Sequence, residues 1–304
     1  KNPFFIGDAG LGMSSIAQYL QGIGMQVSGS DRYFHEGEYN KTKEQLENEG
    51  IKCFLQDGSG ITAETDLVVV STAIEDTVYE VKKAKELGIP IIKRSQLLAM
   101  IAKSKKTIAV AGTSGKSTTS AMLFQILLDA GLEPSIISGA GLTSIIKQGK
   151  IGNTYVGKGD WLIIEADESD GSVVQYEPEI GLLLNIDKDH QEIEELIELF
   201  TIFKNNTNSL FIVNQSNKLA KTLSTNIEND FGFENEKAGF SARNFKQEGF
   251  HLSFELNGQS FEMNAIGQHS VENATAAIAV ATQIGVDLKI CAESLSKYEG
   301  IYRR

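Results

Sequence analysis

The sequence has little cysteine: only Cys53 and Cys291 occur, far apart and each beside apolar residues. Disulfide frameworks and zinc sites need other spacings, so two reduced thiols are expected. Long hydrophobic runs are also missing, since none approaches the ~20 residues of a membrane-spanning helix. The N-terminus lacks the apolar segment and small-residue cleavage site of a secretory signal. Together these absences predict a cytoplasmic location.

Positive charge is scarce as well, with 28 Lys and Arg against 40 Asp and Glu and a formal net charge of −12. Nucleic acids and anionic membranes require basic patches, so neither is an expected partner. What is present is an ordinary globular composition, 41% hydrophobic and 22% charged. A chain of 304 residues fits about two domains.

Short β-branched runs alternate with amphipathic segments in the first hundred residues, which is typical of a parallel sheet flanked by helices. A basic stretch at 103–106 separates this region from a second such unit, so the predicted domains are residues 1–104 and 105–304. Apolar and polar residues alternate on both sides of Asn257 and Gly258, which predicts a hairpin with a type I′ turn. The predicted strands are 4–6, 25–27, 51–55, 67–70, 89–92, 108–111, 135–137, 161–165, 181–185 and 210–213. The predicted helices are 13–23, 41–49, 78–87, 96–103, 117–130, 193–205, 269–284 and 288–297, the last one capped by Asp287.

Residues 107–119 read TIAVAGTSGKSTT, which predicts a buried strand, a glycine-rich turn and the start of a helix. Glycines let backbone N–H groups face a polyphosphate, and the helix N-terminus adds positive partial charge. Lys116 can then reach the β- and γ-phosphates, and the Ser117 hydroxyl can ligate Mg²⁺. Val110 stands where the general G-x-x-x-x-G-K-[ST] loop has glycine, which disfavours GTPases and ordinary kinases. The pattern predicts ATP binding by Gly112, Thr113, Ser114, Gly115, Lys116, Ser117 and Thr118.

A second glycine-rich turn follows the first predicted strand. Gly7, Gly10 and Gly12 stand where backbone can approach a pyrophosphate, and Asp31 lies 19 residues after Gly12. An acid at that distance meets a ribose hydroxyl in dinucleotide sites. This turn alone leaves an NAD-linked oxidoreductase open, although the glycine spacing differs from G-x-G-x-x-G.

Several separate motifs make the sequence resemble the Mur ligase family, the ATP-dependent amide ligases of peptidoglycan precursor synthesis. The turn at 7–17 and the segments S-G-S-D at 28–31 and S-T-A-I at 71–74 resemble the UDP-binding domain of that family. The motifs of its ATP-binding domain are G-T-S-G-K-S-T at 112–118, E-A-D-E-S-D at 165–170, Asn185 with Asp189 and His190, G-Q-H-S-V-E-N-A at 267–274 and G-I-Y-R-R at 300–304. The resemblance covers nearly the whole chain.

The resemblance implies an α/β fold, with a Rossmann-like UDP-sugar-binding domain before a P-loop ATPase-type central domain. The central domain would hold a mostly parallel sheet and a small antiparallel part. The implied reaction joins the carboxylate of UDP-N-acetylmuramate to L-alanine through an acyl phosphate, with ATP and Mg²⁺. Attachment of a tripeptide instead, or a nucleotide-binding regulator without ligase activity, stays open. The third, C-terminal domain of the family is not recognised, so the isolated chain is expected to turn over poorly.

The resemblance also implies roles for single residues. The catalytic residues would be Lys116, Glu165 and His190, and Mg²⁺ would be held by Ser117, Glu165 and His190. Asn273 and Arg303 would complete the ATP site. The UDP-sugar would contact Gly7, Gly10, Gly12, Met13, Asp31, Ser71, Thr72 and Ala73. Departures from the usual family pattern at Ser114, after His190 and at Ser270 concern the choice of substrate more than the type of reaction.

Overall fold

The computed structural model describes residues 1–188 and 191–302. This part of the chain forms two compact units. The first contains residues 1–101 and 137–156, and the second contains 102–136 and 157–302. The chain therefore leaves the second unit after residue 136, contributes a segment to the first and returns. The sequence patterns did not predict this excursion.

The first unit is built on a five-stranded sheet with the order β3-β2-β1-β4-β5, in which every pair of neighbours is parallel. Strands β1 and β4 are apolar, as expected for strands inside a sheet that helices cover, and Phe4, Ile6 and Val68 are fully buried. The elements are β1 (Pro3–Ile6), α1 (Leu11–Gly22), β2 (Ser28–Asp31), α2 (Lys41–Asn48), β3 (Lys52–Leu55), β4 (Leu67–Val70), α3 (Tyr79–Glu86), β5 (Ile91–Lys93) and α4 (Arg94–Lys103).

The second strand lies three residues later than the prediction of 25–27, which was wrong. Ser28, Gly29 and Ser30 have low strand propensity, yet they pair with β1 on one side and β3 on the other. Tertiary pairing overrides local propensity at such a central position. The shift makes Asp31 the last residue of the strand.

The segment 137–156 is attached to α1 by a buried polar cluster around Asn153. The Asn153 side-chain amide donates to the Leu11 carbonyl at 2.7 Å and accepts from Gln18 at 2.8 Å. The Thr154 hydroxyl donates to the Ser15 carbonyl at 2.6 Å. These bonds satisfy polar groups that would otherwise be buried without partners. The short elements in and beside this segment are β7 (Ser135–Ile137), β8 (Gly141–Leu142), α6 (Thr143–Ile146) and β9 (Thr154–Tyr155).

The second unit contains a sheet with the order β12-β11-β6-β10-β7 and a four-stranded sheet β13-β14-β15-β16. The first is parallel at β6, β10, β11 and β12, and the second is largely antiparallel. An α/β fold with parallel sheets is thus confirmed. The elements are β6 (Lys106–Ala111), α5 (Lys116–Asp129), β10 (Trp161–Glu165), β11 (Ile180–Leu183), α7 (Ile193–Asn206), β12 (Leu210–Val213), β13 (Phe231–Phe233), β14 (Phe240–Glu248), β15 (His251–Leu256), β16 (Gln259–Asn264), α8 (Gln268–Gln283), α9 (Leu288–Ser296) and β17 (Ile301–Tyr302).

The predicted hairpin is confirmed between β15 and β16. Asn257 and Gly258 have φ angles of 47° and 82°, as a type I′ turn requires. The predicted place of Asp287 is confirmed, because it is the N-cap residue of α9, although its side chain makes no hydrogen bond to the helix. Strands β13 and β14 were missed, since β13 has only three residues and the polar residues of β14 do not alternate clearly with apolar ones. Within residues 1–188 and 191–302, no helix has both the length and the apolar character to cross a bilayer.

Candidate nucleotide-binding sites

Both glycine-rich turns lie where strand order reverses within a parallel sheet. β1 has β2 on one side and β4 on the other, and β6 has β11 and β10. In open α/β sheets ligands bind beside the carboxyl ends of the strands at such a point. The turn after β1 and the turn after β6 are therefore the candidate sites of their respective units.

The turn after β6 depends on two glycines with positive φ, Gly112 at 139° and Gly115 at 84°. Gly115 is the N-cap of α5, so the helix begins directly at Lys116. A side chain at Gly112 would lie 3.0 Å from the Leu184 Cβ. Only glycine fits both the backbone angles and the space, which leaves backbone N–H groups at the helix N-terminus for an anion.

The Lys116 ammonium is held close to this turn. It donates to the Gly112 carbonyl at 2.7 Å and to the Glu168 carboxylate at 2.9 Å. Only 17% of the Lys116 side chain and 6% of the Glu168 side chain are exposed. Burial raises the pKa of Glu168 above its ordinary value, and the charge of Lys116 opposes that shift. The predicted phosphate-binding cation is thus part of a nearly buried ion pair.

Ser117 and Glu165 form the second polar contact of the turn. Glu165 ends β10 next to β6, and its carboxylate accepts a hydrogen bond from the Ser117 hydroxyl. Hydroxyl and carboxylate oxygens are ligands that Mg²⁺ prefers, so this pair fits the ion. Among the described residues no group of three or more His, Cys, Asp and Glu side chains could hold a metal. His190, the third predicted ligand, lies outside the described residues.

Asn185 fixes the other side of the turn, a role that the sequence analysis did not assign. Its side-chain oxygen accepts from the Thr113 hydroxyl at 2.8 Å and from the Ser114 N–H at 3.0 Å. Its side-chain nitrogen donates to the Ser114 carbonyl at 3.1 Å. Two features of the sequence could have indicated this role: Asn185 ends the predicted strand 181–185, and it belongs to the motif with Asp189 and His190. Asn185 therefore holds the two loop residues that have side chains between the glycines.

Asn273 lies on α8 beside the same turn. A Cβ built at Gly115 would be 2.6 Å from the Asn273 side-chain oxygen, so that amide packs directly against the loop backbone. The structure thus brings Asn273 together with Lys116 and Ser117. Arg303, the other residue predicted to complete the ATP site, lies outside the described residues.

The acidic segment 165–170 separates into two kinds of residue. Asp167 accepts from the N–H and hydroxyl of Ser169, and Asp170 accepts from the Ser172 N–H at 2.9 Å. These are local turn contacts of the kind that Asp residues make. Glu165 and Glu168 instead reach residues of the phosphate loop. The letters EADESD alone do not show that the glutamates contact the phosphate loop while the aspartates stabilise local turns.

In the first unit the turn after β1 is held by Asp31. Its carboxylate accepts from the Ala9 N–H at 2.9 Å and from the Tyr33 N–H at 3.0 Å. Gly7 has a φ of 87°, and Gly10 is the N-cap of α1. The predicted contacts Gly7, Gly10, Gly12, Met13 and Asp31 thus meet at one edge of the sheet, whereas Ser71, Thr72 and Ala73 follow the neighbouring strand β4 at that edge.

Arg94 is a further candidate in this unit that the sequence analysis missed. It is the first residue of α4, and its side chain packs over the turn. A Cβ built at Gly12 would lie 3.5 Å from the Arg94 Cδ and 3.6 Å from its guanidinium carbon. A guanidinium beside a helix N-terminus adds a fixed positive charge where a pyrophosphate would sit.

Asp8, inside the same turn, is completely buried, and neither oxygen of its carboxyl group has a hydrogen-bond partner among the described residues. Its side chain lies against Gly29, since a Cβ there would be 2.5 Å from the Asp8 Oδ2. Burial, with a smaller contribution from the charge of Asp31, raises the pKa of Asp8 to about 8. Asp8 is therefore neutral at pH 7, and the turn has one negative charge fewer than its sequence suggests.

Comparison with family models gives two matches along the chain. Residues 4–106 match the model described as the Mur ligase family, catalytic domain, and residues 110–281 match the Mur ligase middle domain. The second match alone covers more than half of the chain.

Curated relatives cover the chain from end to end. A UDP-N-acetylmuramate–L-alanine ligase from Pelagibacter ubique is 34% identical over 99% of this chain and 67% of its own length. The enzyme of the same name from Baumannia cicadellinicola is 36% identical over 100% of this chain and 63% of its own length. The chain thus spans about two thirds of the length of these relatives.

Solved structures show the same fold. The UDP-N-acetylmuramate-alanine ligase of Thermotoga maritima superposes with a TM-score of 0.85 at 25% identity, over 100% of this chain and 70% of that one. A ligase for the L-alanyl-γ-D-glutamyl-meso-diaminopimelate tripeptide from Neisseria meningitides superposes with a TM-score of 0.83 at 23% identity, over 100% of this chain and 99% of that one.

Proposed function

Since the chain belongs to the Mur ligase family, we propose that it is the nucleotide-binding part of an ATP-dependent ligase that joins UDP-N-acetylmuramate to L-alanine. L-Alanine is favoured as the acceptor because it stands in the names of the curated relatives, which match the whole chain. The tripeptide ligase resembles this chain at 23% identity, a level that supports a common fold and no common substrate.

The observation that carries the proposal is the arrangement around the turn after β6. A helix N-terminus, the Lys116 ammonium and the pair of Ser117 with Glu165 meet at the end of one sheet. A polyphosphate needs inward N–H groups, a lysine and an oxygen-rich metal site, and the three features supply these. We place ATP here, with Thr113, Ser114 and Thr118 around the phosphates and Asn273 beside Gly115.

The chemistry follows from the charges. The lactyl carboxylate of the sugar nucleotide attacks the γ-phosphorus, the bond to the β–γ bridging oxygen breaks, and ADP leaves. The amino group of alanine then attacks the acyl carbon, phosphate leaves with the electron pair of the C–O bond, and a proton is released. Both steps gather negative charge, which Lys116 offsets as a fixed cation.

Mg²⁺ would be held by Ser117 and Glu165, with His190 as the third proposed ligand. When bound, it would supply charge neutralisation at the phosphates. The residues of this chain bind and orient: the turn fixes the phosphate chain, and Asn185 holds the turn through Thr113 and Ser114. In the first unit we place UDP along the turn after β1, with Asp31 toward the ribose.

The proposal is tested by ADP release from the full-length protein supplied with ATP and UDP-N-acetylmuramate. We expect release to require the sugar nucleotide and to be greater with L-alanine than with L-alanyl-γ-D-glutamyl-meso-diaminopimelate. A preference for the tripeptide would replace the proposed acceptor. Binding of ATP without turnover on either acceptor would favour a regulator, and binding of NAD by the first unit would favour an oxidoreductase.

Replacing Arg94 by alanine tests the first site. We expect the affinity for UDP to fall about tenfold, because a charge-assisted contact to the pyrophosphate is lost. Isothermal titration calorimetry measures the change. Lys93→Ala is the matched control, since it removes a neighbouring positive charge that points to solvent. An equal loss in both variants would assign the effect to general electrostatics, and no loss in Arg94→Ala would remove Arg94 from the site.

A further inference from the structure

The Lys116–Glu168 ion pair raises a question that the proposed function leaves open. Lys116 must face the polyphosphate, yet its ammonium already contacts a carboxylate that is 6% exposed. Glu168 could hold Lys116 back until ATP displaces it, or it could hold Lys116 in the orientation that ATP needs. The two possibilities predict opposite effects of removing the carboxylate.

The cost of separating the pair argues against displacement. A carboxylate as buried as that of Glu168 would be left without its cation if Lys116 moved away. Removing one partner of a buried pair shifts an equilibrium by more than about a hundredfold, and ATP binding would have to overcome that penalty. If Lys116 instead contacts Glu168 and a phosphate at the same time, no such penalty arises, because an ammonium has three N–H donors. In the described part of the chain, two of these are directed at the Gly112 carbonyl and at Glu168, so one is left for a phosphate oxygen.

The backbone that delivers Glu168 is itself well fixed. The Glu168 carbonyl accepts from the Gly171 N–H at 3.0 Å and from the Gln191 side chain at 3.2 Å. The Val173 N–H donates to the Asp167 carbonyl at 2.8 Å. A carboxylate on such a turn has a defined position, and a partner bound to it inherits that position.

We propose that Glu168 is a positioning residue, which together with the Gly112 carbonyl aims the third donor of Lys116 at the polyphosphate. The inference rests on the proposed ATP site and adds to it a residue that makes no contact with ATP itself. Lys116 is then oriented before the nucleotide arrives, and ATP binding loses less side-chain freedom.

The test is the affinity of the chain for ATP with Mg²⁺, measured by calorimetry in Glu168→Gln. We expect the affinity to fall about tenfold. This direction is diagnostic, because removal of a nearby negative charge would by itself strengthen the binding of a polyphosphate. Glu168→Asp keeps the charge but shortens its reach by one methylene, and it should lose affinity to a similar extent. It also serves if the Gln variant does not fold.

Two controls make the result specific. In a Lys116→Ala background, Glu168→Gln should cause no further loss, because its effect passes through the ammonium. Glu177→Gln removes the carboxylate of an exposed Lys103–Glu177 pair of nearly the same length, 3.0 Å, and should leave ATP affinity unchanged. Unchanged or tighter ATP binding in Glu168→Gln would overturn the proposal. Failure of the wild-type chain to bind ATP would instead refute the ATP site, and this inference with it.

Discussion

Replacing Asp8 by asparagine is expected to stabilise the protein by about 3–5 kcal/mol at pH 8 and to leave its stability near pH 4 almost unchanged. Asp8 is completely buried, and burial raises its pKa to about 8. Within residues 1–188 and 191–302, no group donates a hydrogen bond to its carboxyl oxygens. Asparagine has nearly the same shape as the neutral acid and does not ionise.

Proton binding by Asp8 determines whether the stability of the protein rises or falls with pH. In the unfolded chain Asp8 loses its proton near pH 4, whereas the folded state keeps it until about pH 8. Between these values the folded state binds one more proton, so its stability falls as the pH rises. The contribution is complete below pH 4 and is lost on passing through pH 8. The asparagine variant lacks this loss, so the difference grows across the same window and then levels off.

Urea unfolding at several pH values measures the difference. Asp57→Asn is the control, because Asp57 is exposed and its pKa is lowered, chiefly by a hydrogen bond from Ser59. That variant should show no gain as the pH rises from 5 to 8. A constant difference between wild type and Asp8→Asn over this range would show that Asp8 is ionised throughout. Measuring the UDP affinity of the wild type and of Asp8→Asn over the same pH range tests whether the neutral form of Asp8 also maintains the turn after β1.

Replacing Gly115 by alanine is expected to lower ATP affinity at least about a hundredfold. At a φ of 84° an alanine is strained by about 1–2 kcal/mol. Its methyl group would also lie 2.6 Å from the Asn273 side-chain oxygen, so the loop or α8 must move. Lys116 and Ser117 follow Gly115 directly, and any shift of the backbone there displaces both groups from the phosphates. Calorimetry with ATP and Mg²⁺ measures the loss.

Gly131 is a close control at the other end of the same helix. Its φ is 77°, and a Cβ there would meet no atom of the described residues within 4 Å. Gly131→Ala should therefore lower the unfolding temperature through the same backbone strain while ATP affinity stays as in the wild type. If both variants lost ATP affinity alike, strain in α5 would be the cause. If neither did, the turn after β6 would not be the ATP site.

Much of this architecture could be predicted from the sequence, because it depends on local patterns. Strand–helix alternation predicted parallel sheets, and the confirmed strands Leu67–Val70 and Trp161–Glu165 agree with their predicted limits. Asn-Gly predicted the hairpin, since few residues tolerate positive φ. The loop letters predicted a phosphate site because glycine spacing and Lys-Ser have direct chemical consequences. The domain limits, the cytoplasmic location and the roles of His190 and Arg303 stay predictions.

What only the tertiary structure decided concerns contacts between distant residues. The strand Ser28–Asp31 exists because its neighbours pair with it, although its own residues do not favour a strand. The segment 137–156 joins the first unit through Asn153, whose partners stand far away in sequence. The letters EADESD do not reveal that Glu168 reaches Lys116. The sequence around Asp8 likewise does not show that this residue is neutral, because its pKa depends on the surroundings that folding creates. The sequence by itself determined the local chemistry of the two turns, and folding determined which charges remain around them.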